Sequence, residues 1–202
     1  MNTRVGKAKV LSIQEFRKTE KLIELTKYKE RNRAILYLCF GLGLRAGEIR
    51  NLTFGDVLES DGTLKELVRL TITKSSKQRD VYLTNPKLRE VLMEHIKTAK
   101  KKFYKKSVLP ILKADPLFAS QKGHKFLNNH FVRLICSFFT AAGIQNAKSH
   151  SGRRTFITLK IDEGCDLKAI ADLVGHNDIN ATARYHQSNP TRLKKIAERS
   201  IF

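Results

Sequence analysis

The chain has 202 residues, 41% of them apolar, enough for one packed domain and too many for wholesale disorder. Its 39 Lys and Arg against 19 Asp and Glu leave a net charge of +20, so a polyanionic partner is expected, with nucleic acid ahead of an anionic membrane surface. No apolar run approaches the roughly 18 residues of a membrane span, "MNTRVGKAKV" lacks the apolar core of a signal peptide, and three scattered cysteines make neither a disulfide framework nor a zinc knuckle.

Helical signals dominate the chain from its start. Ser12 and Glu15 form a capping box, with Leu11 and Phe16 at the staple positions, so a helix is expected from there to about Lys27. A second apolar helix over "RAILYLCFGLG" ends near Gly41 to Gly43, and "RAGEIRNLTF" reads as a short third one. The pattern then changes. "LVRLTI" (67–72) and "DVYLT" (80–84) are β-rich and flank the polar turn "TKSSKQR", which is a hairpin signal.

Asn85-Pro86 opens the next helix with cap and first-turn proline in the preferred order, and Leu88, Val91, Leu92 and Ile96 follow at helical spacing. It runs into the lysine-rich 97–106, which reads equally as a solvated helix end or a DNA-backbone patch. "NHFVRLICSFFTAAG", "HSGRRTFITLKIDEG" and "DLKAIADLVG" are three further helices, each closed by a glycine. Asn189-Pro190 caps a last short helix. The expected fold is a single mixed domain, mostly α with one small antiparallel β-hairpin.

Two motifs are set aside on context. "GLGLRA" (41–46) matches the glycine fingerprint of a dinucleotide fold, but it follows a helical segment and no alternating strand–helix series comes after. Six histidines invite a metal, but HExxH and close Cys/His clusters are both missing from the sequence. His95, His124, His130 and His186 therefore read as structural or surface residues. Cys39, Cys136 and Cys165 read as small buried hydrophobes in a reducing cytosol.

What remains is Arg45, Lys74, His150, Arg153, His176 and Tyr185. Singly each has an ordinary explanation: a helix cap for Arg45, a turn lysine for Lys74, a core aromatic for Tyr185. Together they are a toolkit for a phosphodiester. Two arginines can clamp its non-bridging oxygens through charged, bidentate hydrogen bonds. A tyrosine can attack the phosphorus and conserve the bond energy as a phosphodiester. One histidine can take its proton, a lysine can protonate the departing sugar oxygen, and a second histidine can hold the phosphate. The cationic side chains supply the charge stabilisation themselves, so neither metal nor cofactor is expected.

This set resembles the catalytic domain of the tyrosine recombinases, the phage-integrase family, over about residues 10–190. "GLRAGEI" is similar to the box around the family's first arginine, "HSGRRTF" to its His-x-x-Arg box, and "LVGHNDINATARYH" to the closing Gly-His box with its tyrosine nine residues after histidine. "TKSSKQR" stands where the family carries its catalytic lysine, so by resemblance Lys74 is the general acid and Lys77 the second choice. The resemblance implies a DNA breaking-rejoining fold and a site-specific recombinase that cuts and rejoins DNA through a 3′-phosphotyrosine on Tyr185. It also implies double-stranded DNA as partner, synapsis by a homotetramer, strand exchange through a Holliday junction and host DNA-bending factors as candidate partners. A bacterial or phage cytoplasm, at the nucleoid and away from membranes, is the expected location.

Most members of that family carry an N-terminal helical domain that clamps DNA, whereas here about ten residues precede the first helix. The expectation is one catalytic domain over 1–202 with a helical tail at 188–202, either stand-alone like the fimbrial-switch invertases or a fragment. The tail either docks on a neighbouring protomer or packs on its own domain. The rival readings are a type IB topoisomerase-like enzyme and a non-catalytic DNA-binding accessory protein on the same scaffold.

Overall fold

The computed structural model describes residues 7–71, 78–103, 113–185 and 198. Helix α1 (Ile13–Ile23) starts at Ser12, whose Oγ accepts from Glu15 N–H at 3.2 Å while Glu15 Oε2 accepts from Ser12 N–H at 3.0 Å. It stops four residues short of Lys27. The Ile23 carbonyl, which another turn would need for Lys27, is taken by the Thr26 N–H at 2.9 Å and Thr26 Oγ1 at 2.7 Å.

Helix α2 (Lys29–Gly41) is buried on most of its surface, from Ala34 and Ile35 to Leu38 and Cys39, and is the centre of the molecule. Helices α1, α5 (Pro86–Phe103) and α7 (Ser151–Asp162) pack around it. Helix α5 begins as expected, with Asn85 Oδ1 accepting from Leu88 N–H at 3.0 Å, and it buries Leu88, Val91, Leu92 and Ile96. His95 joins that buried face. Its ring stacks on Phe118 at 4.9 Å and its Nε2 bonds the Leu117 carbonyl at 2.8 Å, so it is structural, while His124 and His130 lie on the surface.

Between these lie α3 (Ala46–Asn51), α4 (Phe54–Val57) and an antiparallel hairpin. In the hairpin, β1 (Leu67–Thr71) pairs with β2 (Gln78–Tyr82), Val68 opposite Val81. The glycines of 41–46 therefore join two helices, and the dinucleotide reading is excluded. Helices α6 (Asn128–Ala141), α8 (Leu167–Val174) and α9 (Ile179–Ala183) complete the described elements. Gly143, Gly164 and Gly175, after α6, α7 and α8, all have positive φ. Helix α4 has four residues and α9 five, each held by its own aspartate or threonine cap, and neither has a length that hydrophobic periodicity can reveal.

The cysteine reading holds for Cys39, which is fully buried and whose thiol burial pushes up to about 12. It fails for Cys165, which is exposed, because the chain turns to solvent there after Gly164. Cys136 is half-buried. Lys74 and Lys77 in the hairpin turn, His186 and the tail helix after Asn189 lie outside the described residues, apart from Glu198.

Candidate active site

Helix α8 ends in a left-handed turn at Gly175, φ 65°, a conformation that costs a side-chain-bearing residue and not glycine. The turn returns the Gly175 and His176 N–H groups to the carbonyls of Asp172 and Ala171. That leaves the carbonyls of Leu173, Val174 and Gly175 without helical partners, at the negative end of the helix dipole. Three arginines from three other parts of the chain occupy them. Arg79 from β2 donates to Leu173 O, Arg153 from α7 to Val174 O at 2.6 Å, and Arg45, just before α3, to Gly175 O at 3.2 Å.

Arg153 is anchored twice, since its other terminal nitrogen donates to Gly43 O at 2.9 Å. Two glycines make that reach possible. A Cβ on Gly152 would stand 2.6 Å from Cys39 Cβ, and one on Gly43 would stand 2.8 Å from the Phe156 ring. Without side chains there, α7 presses directly on α2 and on the turn after it, which delivers Arg153 to the site.

Glu48 is the carboxylate among them. It accepts from Arg79 Nη2 at 2.8 Å, from Arg45 Nη1 at 3.0 Å and from the Arg45 N–H at 2.7 Å. Burial opposes its charge, but the bonds and charge of Arg79, then of Arg45, outweigh it and hold the carboxyl below its ordinary range. Three guanidiniums against one carboxylate leave an excess of positive charge, and Arg45 still shows a third of its side chain to solvent. Arg153 feels the excess: burial first, then Arg45, bring it down to about 9.

His176 follows Gly175 directly, and its Nδ1 is bonded to buried Thr182 Oγ1 of α9 at 2.8 Å. Burial, then the charges of Arg153, Arg45 and Arg79, lower it to about 4. His150, the N-cap of α7, is lowered by desolvation and then by Arg153 and Arg45. Both imidazoles are thus neutral near pH 7 and able to accept a proton. The Tyr185 ring packs against the apolar cluster of Phe156, Ile157, Ile161, Ile170 and Val174 and lies nearly parallel to His176, 16° between planes and 6.2 Å between centroids.

A cleft of about 310 Å³ opens between His150, Arg154, His176, Arg184 and Tyr185. A second, of about 500 Å³, runs from β2 to His176 and Asn177. His176 lines both. Five of the six residues expected from the sequence, Arg45, His150, Arg153, His176 and Tyr185, thus gather around the end of α8. Lys74 lies outside the described residues, three positions beyond Thr71 in the sequence.

Glu48 and Arg79 were missed. A signal existed for the second: in a strand, Arg79 shares its face with apolar Val81, and a cation on a buried face needs a partner. Glu48→Gln should leave Arg79 with an amide in place of its counter-charge. A loss of about 3 kcal/mol in a denaturant titration is expected, the low end for breaking a buried pair, because the amide oxygen still accepts one bond. An unchanged midpoint would mean the pair contributes nothing.

Residues 12–192 match the model of the phage integrase family, nearly the whole chain. The chain belongs to that family. Among phage integrase relatives it is 29% identical over 181 residues to tyrosine recombinase XerD of Oceanobacillus iheyensis, covering 88% of this chain and 58% of the relative. To tyrosine recombinase XerC of Syntrophus aciditrophicus it is 28% identical over 173 residues, 84% of this chain and 53% of the relative. The chain thus spans somewhat more than half the length of these relatives. Its fold is that of XerA recombinase, with a TM-score of 0.75 at 22% identity over 98% of this chain and 67% of the other. XerH recombinase bound to its palindromic difH substrate gives a TM-score of 0.70 at 22% identity, covering 94% of this chain and 52% of the other.

Proposed function

We propose that this chain is the catalytic domain of a site-specific DNA recombinase, acting over residues 1–202 as one unit. The observation that carries the proposal is the convergence of Arg45, Arg79 and Arg153 on the end of α8, beside two neutral histidines and Tyr185. Such a cluster has no carboxylate to satisfy it beyond Glu48 among the described residues, and a phosphodiester supplies the missing negative charge.

In this reading Arg45 and Arg153 bind the non-bridging oxygens. Tyr185 Oη attacks phosphorus, a P–O bond to tyrosine forms, and the bond to the 5′ oxygen breaks, leaving a 3′-phosphotyrosine and a free 5′ hydroxyl. His176, fixed by Thr182, holds the phosphate. His150, whose Nδ1 has Ser149 Oγ 3.5 Å away, takes the tyrosine proton. Lys74 protonates the leaving oxygen. Reversal with a different 5′ hydroxyl joins a new strand. Four protomers then synapse two duplexes and exchange strands through a Holliday junction, in a bacterial or phage cytoplasm at the nucleoid, with DNA-bending proteins as further partners. XerH has been solved bound to difH and the Tn1549 transposon integrase in complex with transposon right end DNA, which supports duplex DNA as the substrate.

The test is a covalent trap. The 202-residue chain is mixed in EDTA, without nucleotide, with duplexes of randomised sequence carrying a nick, so that a short 5′-hydroxyl fragment diffuses away after cleavage. Adducts recovered under denaturing conditions should carry protein on a 3′ phosphate, and sequencing them gives the site. Adducts that form only with added magnesium, or cleavage without adduct, would overturn the proposal.

A further inference from the structure

The segment before α1 is tied to the site from behind. The Lys9 N–H donates to Asn146 O at 3.1 Å and the Leu11 N–H to Thr155 Oγ1 at 2.9 Å, so the segment lies along α7 and the loop that leads into it. A third bond comes from Arg154, whose Nη1 donates to Ala8 O at 2.8 Å. Arg154 touches more than this segment. Its Cζ lies 5.8 Å from the centroid of the Tyr185 ring, within the range over which a guanidinium is attracted to an aromatic face.

Two features separate Arg154 from an ordinary surface arginine. Its Nε is buried and has no hydrogen-bond partner among the described residues, so the side chain is not placed by full satisfaction of its own donors. It also forms a wall of the cleft that holds His150, His176 and Tyr185. Arg31, a guanidinium stacked on the rings of Tyr28 and Phe126, differs on both counts. All three of its nitrogens are bonded, to Asn32 Oδ1 and Ala119 O, and it pins one part of the core to another.

We propose that Arg154 is a positioning residue for Tyr185, holding the ring through its cation while gripping the Ala8 carbonyl. The placement of the segment before α1 is thereby coupled to the placement of the tyrosine. His176 lies against the same ring, and loss of the guanidinium removes one of the two polar contacts that orient it among the described residues. The effect on catalysis rests on the reading of Tyr185 as the nucleophile. The effect on the ring itself does not.

The 202-residue chain labelled with 3-fluorotyrosine contains five tyrosines, and the Tyr185 resonance is the one lost in Tyr185→Phe. Arg154→Gln keeps a donor for Ala8 O but removes the cation. It should shift and broaden the Tyr185 resonance, leave those of Tyr28 and Tyr37 in place, and slow adduct formation about tenfold, with affinity for duplex DNA changed less than about threefold. Arg154→Lys, which restores a cation, should recover most of that rate. Ala8→Gly, which loosens the segment and takes only one methyl from the cleft wall, should move the same resonance by less. An unmoved Tyr185 signal in Arg154→Gln, or Arg154→Lys no faster than Arg154→Gln, overturns the positioning role. An unmoved signal in Ala8→Gly overturns the coupling. Should Arg154→Gln fail to fold, Arg154→Met gives the same reading without the Ala8 bond. Persistence of the adduct in Tyr185→Phe together with a shifted resonance in Arg154→Gln would refute the nucleophile and leave the contact standing.

Discussion

Tyr185→Phe should bind duplex DNA as tightly as the parent chain and yield no covalent adduct at all. The ring remains to fill its place against the apolar cluster of α7 and α8 and to lie against His176, so that packing is kept. The three guanidiniums that would meet the phosphate are bonded to α8 carbonyls and to Glu48, not to the tyrosine, and are left as they were. Only the attacking oxygen is gone. A reaction that needs a bond from that oxygen to phosphorus has then no route, whatever the pH. Equilibrium binding and denaturing gels on the same nicked duplex measure the two quantities side by side. An adduct that persists in the variant moves the nucleophile elsewhere and returns Tyr185 to the status of a core aromatic. A large loss of affinity would instead mean that the hydroxyl binds substrate in the ground state.

The convergence of this site was legible in the sequence because its members stand in short boxes with unusual neighbours: an arginine between two glycines at 43 and 47, a His-x-x-Arg pair at a helix start, a histidine after a helix-ending glycine. Helix boundaries were legible where a cap or a proline marks them, as at Ser12 and Asn85. They were not where one side chain diverts one carbonyl, as Thr26 does at the end of α1, since no periodicity records that competition. Glu48 and Arg79 were missed for a related reason. Their pairing joins residues 31 positions apart, one on α3 and one on β2, and only the folded chain shows that the carbonyl end of α8 takes a third cation. Arg154 was hidden by its neighbour: the sequence offers Arg153 and Arg154 together, and only the helix phase says that one faces Gly43 and the end of α8 and the other the Tyr185 ring.

Lys74→Ala should be slow in strand cleavage by roughly 10² to 10⁴-fold on ordinary DNA, the range for loss of a general acid. The reason lies in the leaving group. The 5′ oxygen departs as an alkoxide whose conjugate acid resembles water, at a pKa of about 15.7, so the P–O bond cannot break cheaply without a proton. The hairpin that carries Lys74 is rooted at the site, because β2 supplies Arg79 to Glu48 and to the end of α8, and the lysine is three residues from the strand end. Replacing the bridging oxygen with sulfur removes the demand, since a thiol ionises at a pKa of about 8.5. The variant should therefore be largely rescued on 5′-bridging phosphorothiolate DNA, while Tyr185→Phe is rescued on neither substrate. Parental rates for Lys74→Ala on ordinary DNA would make the lysine a turn residue. Slowness on both substrates would make it a phosphate ligand instead, and Lys77, three positions on, would be the next residue to test as the acid.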